Sequence, residues 1–406
     1  INQSKEIGTL LSREEGKTLP EGIGEVIRSG QQFQYYAASA LRQFGENIAS
    51  TREGVSVEMT REPVGVCGII SPWNFPIAIA AWKSAPAMAF GNAVVLKPAS
   101  QTPASAIALT KIISDQKDIP DGLFNLVLGG GGTIGQQISG HKDINAISFT
   151  GSVGVGQTIY MEAAKSMKKM QLEMGSKNPL VVMDDADLDI AVACATNGAY
   201  GGTGQKCTAS SRLIVHEKVY KEFIEKLIEN LKGLKVGHAL EEGSQMGPVS
   251  SETQLHSNLD YIEIGKKEAK LAYGGNPMNM RTPGHYMEPT LFIDGNNKTT
   301  INQEEMFGPI ACVIPVKSYE EGLEVANDTI FGLSSGIITQ SLSKAADFKK
   351  NIKTGVTTVN LPTAGLDYHV PFGGRKASSF GPREQGTYAH EFFTHVKTTY
   401  VSPGKI

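Results

Sequence analysis

Short apolar runs, each closed by glycine, proline or a small polar residue, alternate with longer stretches of helical period along much of the chain. Residues 64–70 read as a buried strand, and Ser71-Pro72-Trp73-Asn74-Phe75-Pro76 breaks it before a helical stretch toward Phe90. Residues 93–97 are a second strand, stopped by Pro98, and Thr102-Pro103 opens a helix over 104–114 with proline in the first turn. Residues 124–128 and 144–149 predict two further strands, the first running into Gly129 to Gly132 and a helix near Ile134. The second leads through Thr150-Gly151-Ser152 to a helix around 156–169. Beyond Glu173 the alternation resumes with a strand at 179–183, a helix at 188–200, a strand at 212–216 and a helix at 220–231. Repeated strand, turn and helix units predict parallel sheets with right-handed crossovers, hence an α/β protein.

Residues 56–61 alternate as a hairpin strand, and 394–401 form a β-branched terminal strand. Both are expected as sheet edges that pair between subunits. With 406 residues the chain exceeds one compact core, so two domains are expected. The net charge of −3, with Lys and Arg scattered among Asp and Glu, gives no footprint for nucleic acid. Apolar runs fall well short of the roughly 20 residues needed to span a bilayer. Four cysteines (67, 194, 207 and 312) without a Cys-x-x-Cys pair disfavour a zinc cluster or a disulfide framework, and a reducing cytoplasm fits best. The eight histidines show no ligand spacing, so no metal is implied.

Candidate chemistry centres on Cys207, in Gly-Gln-Lys-Cys-Thr-Ala, and Glu173, in Leu-Glu-Met-Gly-Ser-Lys-Asn-Pro. A thiolate attacks electrophilic carbon and a carboxylate takes a proton from thiol or water, the parts of covalent carbonyl chemistry. On these two residues alone, a cofactor-independent thiol hydrolase or acyltransferase and a non-catalytic binding protein stay open.

Four further stretches, taken with those two, narrow the choice: Pro72-Trp73-Asn74-Phe75-Pro76, Leu96-Lys97-Pro98-Ala99, Phe149-Thr150-Gly151-Ser152, Leu172-Glu173-Met174-Gly175, Gly204-Gln205-Lys206-Cys207 and Glu304-Glu305-Met306-Phe307-Gly308-Pro309. Together, and in this order, they resemble the NAD(P)-dependent aldehyde dehydrogenase superfamily. Gly204 to Val215, Pro371 to Gly374 and Pro382-Arg383-Glu384-Gln385-Gly386 look most like its 2-oxoglutarate semialdehyde (2,5-dioxopentanoate) branch. The family pattern begins before Ile1, so an N-terminal segment of the cofactor domain is expected to be missing. The resemblance implies a Rossmann-type parallel-sheet cofactor domain (1–44 and 64–175), an α/β catalytic domain (176–378), oligomerisation strands (45–63 and 394–406) and a return segment (379–393). A homodimer or homotetramer is expected.

By the same resemblance, Cys207 is the nucleophile that forms a thiohemiacetal and then a thioester, and Glu173 is the general base. Asn74 is the oxyanion donor, with the Cys207 backbone N–H, and Glu384 is a second carboxylate that relays protons. Lys206 adds positive potential beside the thiol. Gly175 leaves the Glu173 carboxylate room to swing. Cofactor contacts are expected from Ser71, Pro72, Trp73, Lys97, Ser100, Gly151, Ser152, Gly156, Glu305 and Phe307. Ser100 stands where many NAD-preferring relatives carry Glu, so NADP is accepted beside NAD. Trp82 and Phe372 line an apolar substrate tunnel. Succinate semialdehyde dehydrogenases usually carry Arg at the places held here by Gly201 and Trp82, which argues against that substrate and leaves a carboxylate anchor unidentified. Arg212 and Lys206 are the candidates for an anion contact.

Overall fold

Val66–Ile70, Ala93–Lys97, Phe124–Leu126, Ala146–Thr150 and Lys169–Glu173 form the parallel part of a six-stranded sheet in the computed structural model, which describes residues 1–42 and 45–404. Spatial order runs Ser379–Phe380, Lys169–Glu173, Ala146–Thr150, Val66–Ile70, Ala93–Lys97, Phe124–Leu126, and only Ser379–Phe380 is antiparallel to its neighbour. From Val66–Ile70 the chain builds first to one side and then, at Ala146–Thr150, to the other. That reversal opens a crevice at the carboxyl end of Val66–Ile70, where open α/β sheets hold ligands.

A second, seven-stranded sheet runs Lys270–Tyr273, Thr290–Ile293, Ile310–Val316, Arg212–His216, Pro179–Val182, Ser334–Ile338, Val356–Val359, parallel except at Lys270–Tyr273. Leu180, Val182, Leu213 and Val215 pack into one apolar cluster and Val181, Ile214 and Ile337 into another, so both faces are covered. Burial on both faces is why these strands read as near-continuous apolar runs. Glu46–Ala49, Ser56–Pro63 and Thr394–Val401 make a separate antiparallel sheet. The expectation of two edge strands is corrected here. Ser56–Pro63 lies in the middle, paired along its whole length to Thr394–Val401 and on its other side to Glu46–Ala49, so only the outer two strands are edges.

The helix expected at 156–169 is Val153–Ala164, because Ser152 is extended and lets the helix begin at once. It ends early because Met167 turns the chain with φ of 53° and Lys169 opens the next strand. The glycine run passes through a wide π-turn, Gly131–Gly135, before the short helix Gln136–Gly140. Two helices that the strand-and-turn reading passes over, Ser4–Glu15 and Leu19–Ala40, pack against each other, and the second packs on Ala78–Ala89. Their signal was in the sequence. Thr18-Leu19-Pro20-Glu21 is a capping box with proline in the first turn, and Glu21 Oε2 accepts from the Thr18 N–H at 3.0 Å and hydroxyl at 2.8 Å.

Candidate active site

Cys207 lies in the turn between the helix Leu188–Tyr200 and the strand Arg212–His216. The turn is tight: Gly202, Thr203 and Gly204 all have positive φ, and a Cβ on Gly204 would stand 2.8 Å from the Ala199 carbonyl oxygen and closer still to that of Gly308. Only glycine fits there. Asn178 fixes the far side of the turn, its Nδ2 donating to the carbonyls of Cys207 at 2.7 Å and Ala209 at 2.9 Å. Asn178 Oδ1 accepts in turn from Ser176 Oγ and the Ser334 N–H.

Asn74 is buried on the other wall and donates through Nδ2 to the Gln205 carbonyl at 2.9 Å, two residues before the thiol. An amide nitrogen carries two protons, so one is left over in the cavity that Asn74 and Cys207 both line. Its own loop is clamped: Lys17 Nζ donates to the Asn74 carbonyl at 2.6 Å and to Glu25 Oε2 at 2.7 Å, while Glu25 Oε1 accepts from the Ile77 and Ala78 N–H groups. Lys17 and Glu25, which sequence reasoning missed, therefore tie the loop to the helix Leu19–Ala40.

Glu173 ends the strand Lys169–Glu173 and is 3% exposed. Its Oε2 accepts from Ser379 Oγ at 2.5 Å, across the antiparallel pairing of those two residues. Burial first, and the Glu384 charge second, push its carboxyl well above the ordinary range, against the pull of Ser379, Lys83 and Arg383. A carboxyl raised in this way holds a proton more readily than an ordinary one, which suits it to take up and return protons. The room for this carboxylate comes from Gly373, where a Cβ would sit 2.7 Å from Glu173 Oε1. Gly175, expected to serve that purpose, instead clears Glu305, whose Oε2 would lie 2.5 Å from a Cβ there.

Glu384 does not pair with the adjacent Arg383. It pairs with Lys83, both side chains almost fully buried, and Lys83 Nζ also donates to Ser148 Oγ at 2.8 Å. The signal for Lys83 was a lone lysine within Ala-Ile-Ala-Ala-Trp-Lys-Ser-Ala, a helix otherwise apolar on that stretch. Glu384 and Phe372 exchange backbone hydrogen bonds at 2.7 and 2.9 Å, coupling this buried pair to the tunnel wall, where the Phe372 ring lies 5.5 Å from that of Trp82. Burial, then Glu305, Glu173 and Glu384 in that order, push the Cys207 thiol up to about 12. Lys206, expected to aid the thiol, turns its amine to the Asn197 carbonyl at 2.8 Å. Arg212 is no anion contact. It is buried, with its guanidinium spent on the carbonyls of Lys177, Val325 and Ala326 and on Asn297 Oδ1.

Of the residues expected around a dinucleotide, Ser71, Lys97, Gly151 and Ser152 lie at the carboxyl ends of the first sheet, while Glu305 and Phe307 come from the segment before Ile310–Val316 of the second. Ser71 and Lys97 end adjacent strands and share a backbone hydrogen bond of 3.1 Å. Lys97 Nζ rests on the Pro98 carbonyl at 2.7 Å, and burial holds its ammonium below the usual range. The hydroxyls of Ser71 and Thr150, on neighbouring strand ends, are buried without a protein partner. Ser152 is exposed at the start of Val153–Ala164 and makes no capping bond, which leaves that N-terminus open to an anion. Ser100 is exposed, its hydroxyl touching only the Gly129 carbonyl at 3.3 Å. Phe307, at φ of 54°, meets the Trp73 ring edge-on at 5.3 Å beside Pro72. Glu305 Oε1 accepts from the Ser176 N–H at 2.7 Å, and burial raises its carboxyl to about 7. Gly151 and Gly156 have packing reasons: a Cβ would meet the Phe149 ring at 2.5 Å in the first and Met174 Sδ at 2.5 Å in the second.

Comparison with known proteins decides the family, since the profile of the aldehyde dehydrogenase family matches residues 1–399. The chain belongs to the aldehyde dehydrogenase family. Among the relatives of this aldehyde dehydrogenase, the alpha-ketoglutaric semialdehyde dehydrogenase of Bacillus subtilis is 45% identical over 98% of the chain and 82% of the relative. The alpha-ketoglutarate semialdehyde dehydrogenase of Haloferax volcanii is 43% identical, over 98% and 83%. A crystal structure of betaine aldehyde dehydrogenase from Staphylococcus aureus in complex with NAD+ superposes with a TM-score of 0.96 at 32% identity, covering all of this chain and 80% of that one. The structure of an NADP-dependent enzyme from Escherichia coli gives 0.95 at 32%, over 99% and 82%.

Proposed function

We propose that this aldehyde dehydrogenase oxidises 2-oxoglutarate semialdehyde to 2-oxoglutarate, with NAD or NADP, through a covalent adduct on Cys207. The observation that carries the reading is near-full-length likeness to relatives named for that semialdehyde. In this reading Cys207 Sγ attacks the aldehyde carbon while Glu173 takes the thiol proton. The oxygen that becomes negative accepts from Asn74 Nδ2, which Gln205 orients, and from the Cys207 N–H, in a turn that Asn178 holds by the Cys207 carbonyl. When bound, the oxidised nicotinamide supplies the acceptor for the hydride that leaves the thiohemiacetal on Cys207 and makes it a thioester. Glu173 then activates the water that releases the acid, and Glu384 with Lys83 takes up and returns its proton.

The orphaned hydroxyls of Ser71 and Thr150 and the open N-terminus at Ser152 support a dinucleotide across the strand ends, with Lys97 and Glu305 toward its riboses and Trp73 and Phe307 toward the nicotinamide end. Ser100 presents no carboxylate to a 2′-phosphate, which favours acceptance of NADP. We also infer a cytoplasmic homodimer or homotetramer that pairs through the edge Thr394–Val401, where Val396, Tyr400 and Val401 are exposed. Absorbance at 340 nm with a panel of aldehydes, run with NAD and with NADP, is the test. The acid semialdehyde should give the highest kcat/KM, and Cys207→Ala should abolish turnover while still quenching on cofactor titration. Thioester hydrolysis independent of cofactor, without reduction of NAD or NADP by any aldehyde, would reject the reading.

A further inference from the structure

The cavity at Cys207, about 360 Å³, carries three cations on its wall, and they differ in what their donors already hold. Lys17 is committed to Glu25 and the Asn74 carbonyl, with its ammonium 4.1 Å from the Phe75 ring centre. Lys206 sets its amine on the Asn197 carbonyl, and burial lowers its ammonium to about 8, which weakens it as a fixed positive charge. Arg28, whose guanidinium keeps its charge, is less fully paired than Lys17. Its Nη1 donates to the Leu366 carbonyl, its Nη2 has only Gln385 Oε1 at 3.5 Å, and its Nε–H is buried without an acceptor. Among the described residues Arg28 closes no ion pair, although Asp367 and Glu25 are near enough to be felt.

Placement strengthens the case. Glu21, Gly24, Glu25 and Arg28 recur at helical spacing along Leu19–Ala40, so one face of that helix borders the cavity. The same face is bolted to the oxyanion loop by Glu25, which fixes Arg28 relative to Asn74. Gly201 and Trp82, the two places without the arginine that succinate semialdehyde dehydrogenases carry, line the same cavity. Glu21 and Glu25 on the cavity wall beside Arg28 are already satisfied, the first by Thr18 and the Gly202 N–H and the second by Lys17 and two N–H groups, while Asp367 is exposed and outside the cavity lining. A guanidinium with free donors, facing an otherwise neutralised wall, suits the fork of a carboxylate.

We propose that Arg28 anchors the carboxylate of the substrate, so that the cavity selects an aldehyde with a remote acid group over a neutral aldehyde of equal length. The proposal rests on the acid-semialdehyde reading above. Its test compares kcat/KM for 2-oxoglutarate semialdehyde and for pentanal in the wild type, Arg28→Gln and Arg28→Lys, with inhibition by glutarate measured alongside. The ratio of the two kcat/KM values should fall by about 10- to 100-fold in Arg28→Gln, mostly through KM of the acid, and glutarate inhibition should weaken in step. Arg28→Lys should keep part of both. A merely structural role through Leu366 and Gln385 would lower both substrates alike and leave the ratio unmoved. A wild type that prefers the acid and an Arg28→Gln enzyme that keeps the preference would overturn the anchor alone. A wild type without that preference would overturn the substrate reading and the anchor with it.

Discussion

The free enzyme should alkylate slowly at Cys207, and the size of the effect follows from the site. Burial and the charges of Glu305, Glu173 and Glu384 push the thiol up to about 12. At pH 8 that leaves about one thiolate in 10,000, against about one in four for an ordinary thiol near 8.5, a deficit on the order of 2,000-fold. A more basic thiolate is also a better nucleophile, and a Brønsted slope near 0.45 returns roughly 40-fold over that pKa difference. The net expectation is alkylation about 60-fold slower than a free thiol.

Iodoacetamide labelling followed by intact mass, with Cys207→Ala reporting any background from buried Cys67, Cys194 and Cys312, measures it directly. The logarithm of the rate should climb from pH 7 to 10 without a plateau, with a slope below one near pH 7, where Glu305 ionises, and approaching one above it. Glu305→Gln should speed labelling at every pH in that range, because Glu305 is the largest of the three carboxylate influences on the thiol. A plateau at or below pH 9 in the wild type, or a Glu305→Gln enzyme that labels at the wild-type rate, would refute the electrostatic account.

Breaking the Lys83–Glu384 pair with Lys83→Met should destabilise by about 3–5 kcal/mol, since it strands a buried carboxylate, while adding Glu384→Gln should recover much of the loss. Urea unfolding of both singles and the double gives the coupling, and additive effects would show that the pair does not act as a unit. Lys177 is buried with no acceptor for its Nζ, and burial first, then Arg212, lowers its ammonium to about 7. Unfolded, it holds its proton to near 10.4, so folding expels a proton between these values and wild-type stability should rise with pH from 7 to about 10. Lys177→Met should raise Tm, most at or below pH 7, and flatten that slope; an equal Tm gain at pH 7 and pH 10 would contradict the sign. Gly175→Ala should push Glu305 off the Ser176 N–H and raise the dinucleotide Kd severalfold by fluorescence quenching, with an unchanged Kd placing Glu305 outside the binding contacts.

What the sequence revealed and what it hid divide along a physical line. The strand ends at Ile70 and Lys97 were legible because a strand buried on both faces must be apolar and must end in a turn former, whereas Lys169–Glu173, interrupted by Gln171, was not, its first residue reading as the end of a helix. Cys207 and Asn74 were legible because their loops carry a fixed set of glycines and prolines. Partners reached through distant pairing were not. Ser379 meets Glu173 across 206 residues, by a two-residue strand too short to carry a period. Gly373 and Gly175 look alike in the sequence, and only the position of each carboxylate shows which glycine clears which. Lys83 and Arg28 sit in helices where a lone cation reads as an ordinary surface charge until the neighbouring faces are known to be covered.

Assembled, the site has two ends of different electrical character, and this gives direction to the chemistry. Around the thiol, Glu173, Glu305 and Glu384 outnumber the cations that touch them, so the resting nucleophile is kept protonated and a positive group arriving beside it is what lowers its thiol pKa. Along the cavity wall Lys17, Arg28 and Lys206 match Glu15, Glu21 and Glu25 in number, and burial raises Glu15 to about 7 and lowers Lys206 to about 8, so the acidic excess found around the thiol is not repeated there. A substrate with an electrophilic carbon at one end and an acid at the other is oriented by that gradient before any covalent step. Reversing the charge of Arg28 would act against this orientation while leaving the thiol and its carboxylates in place.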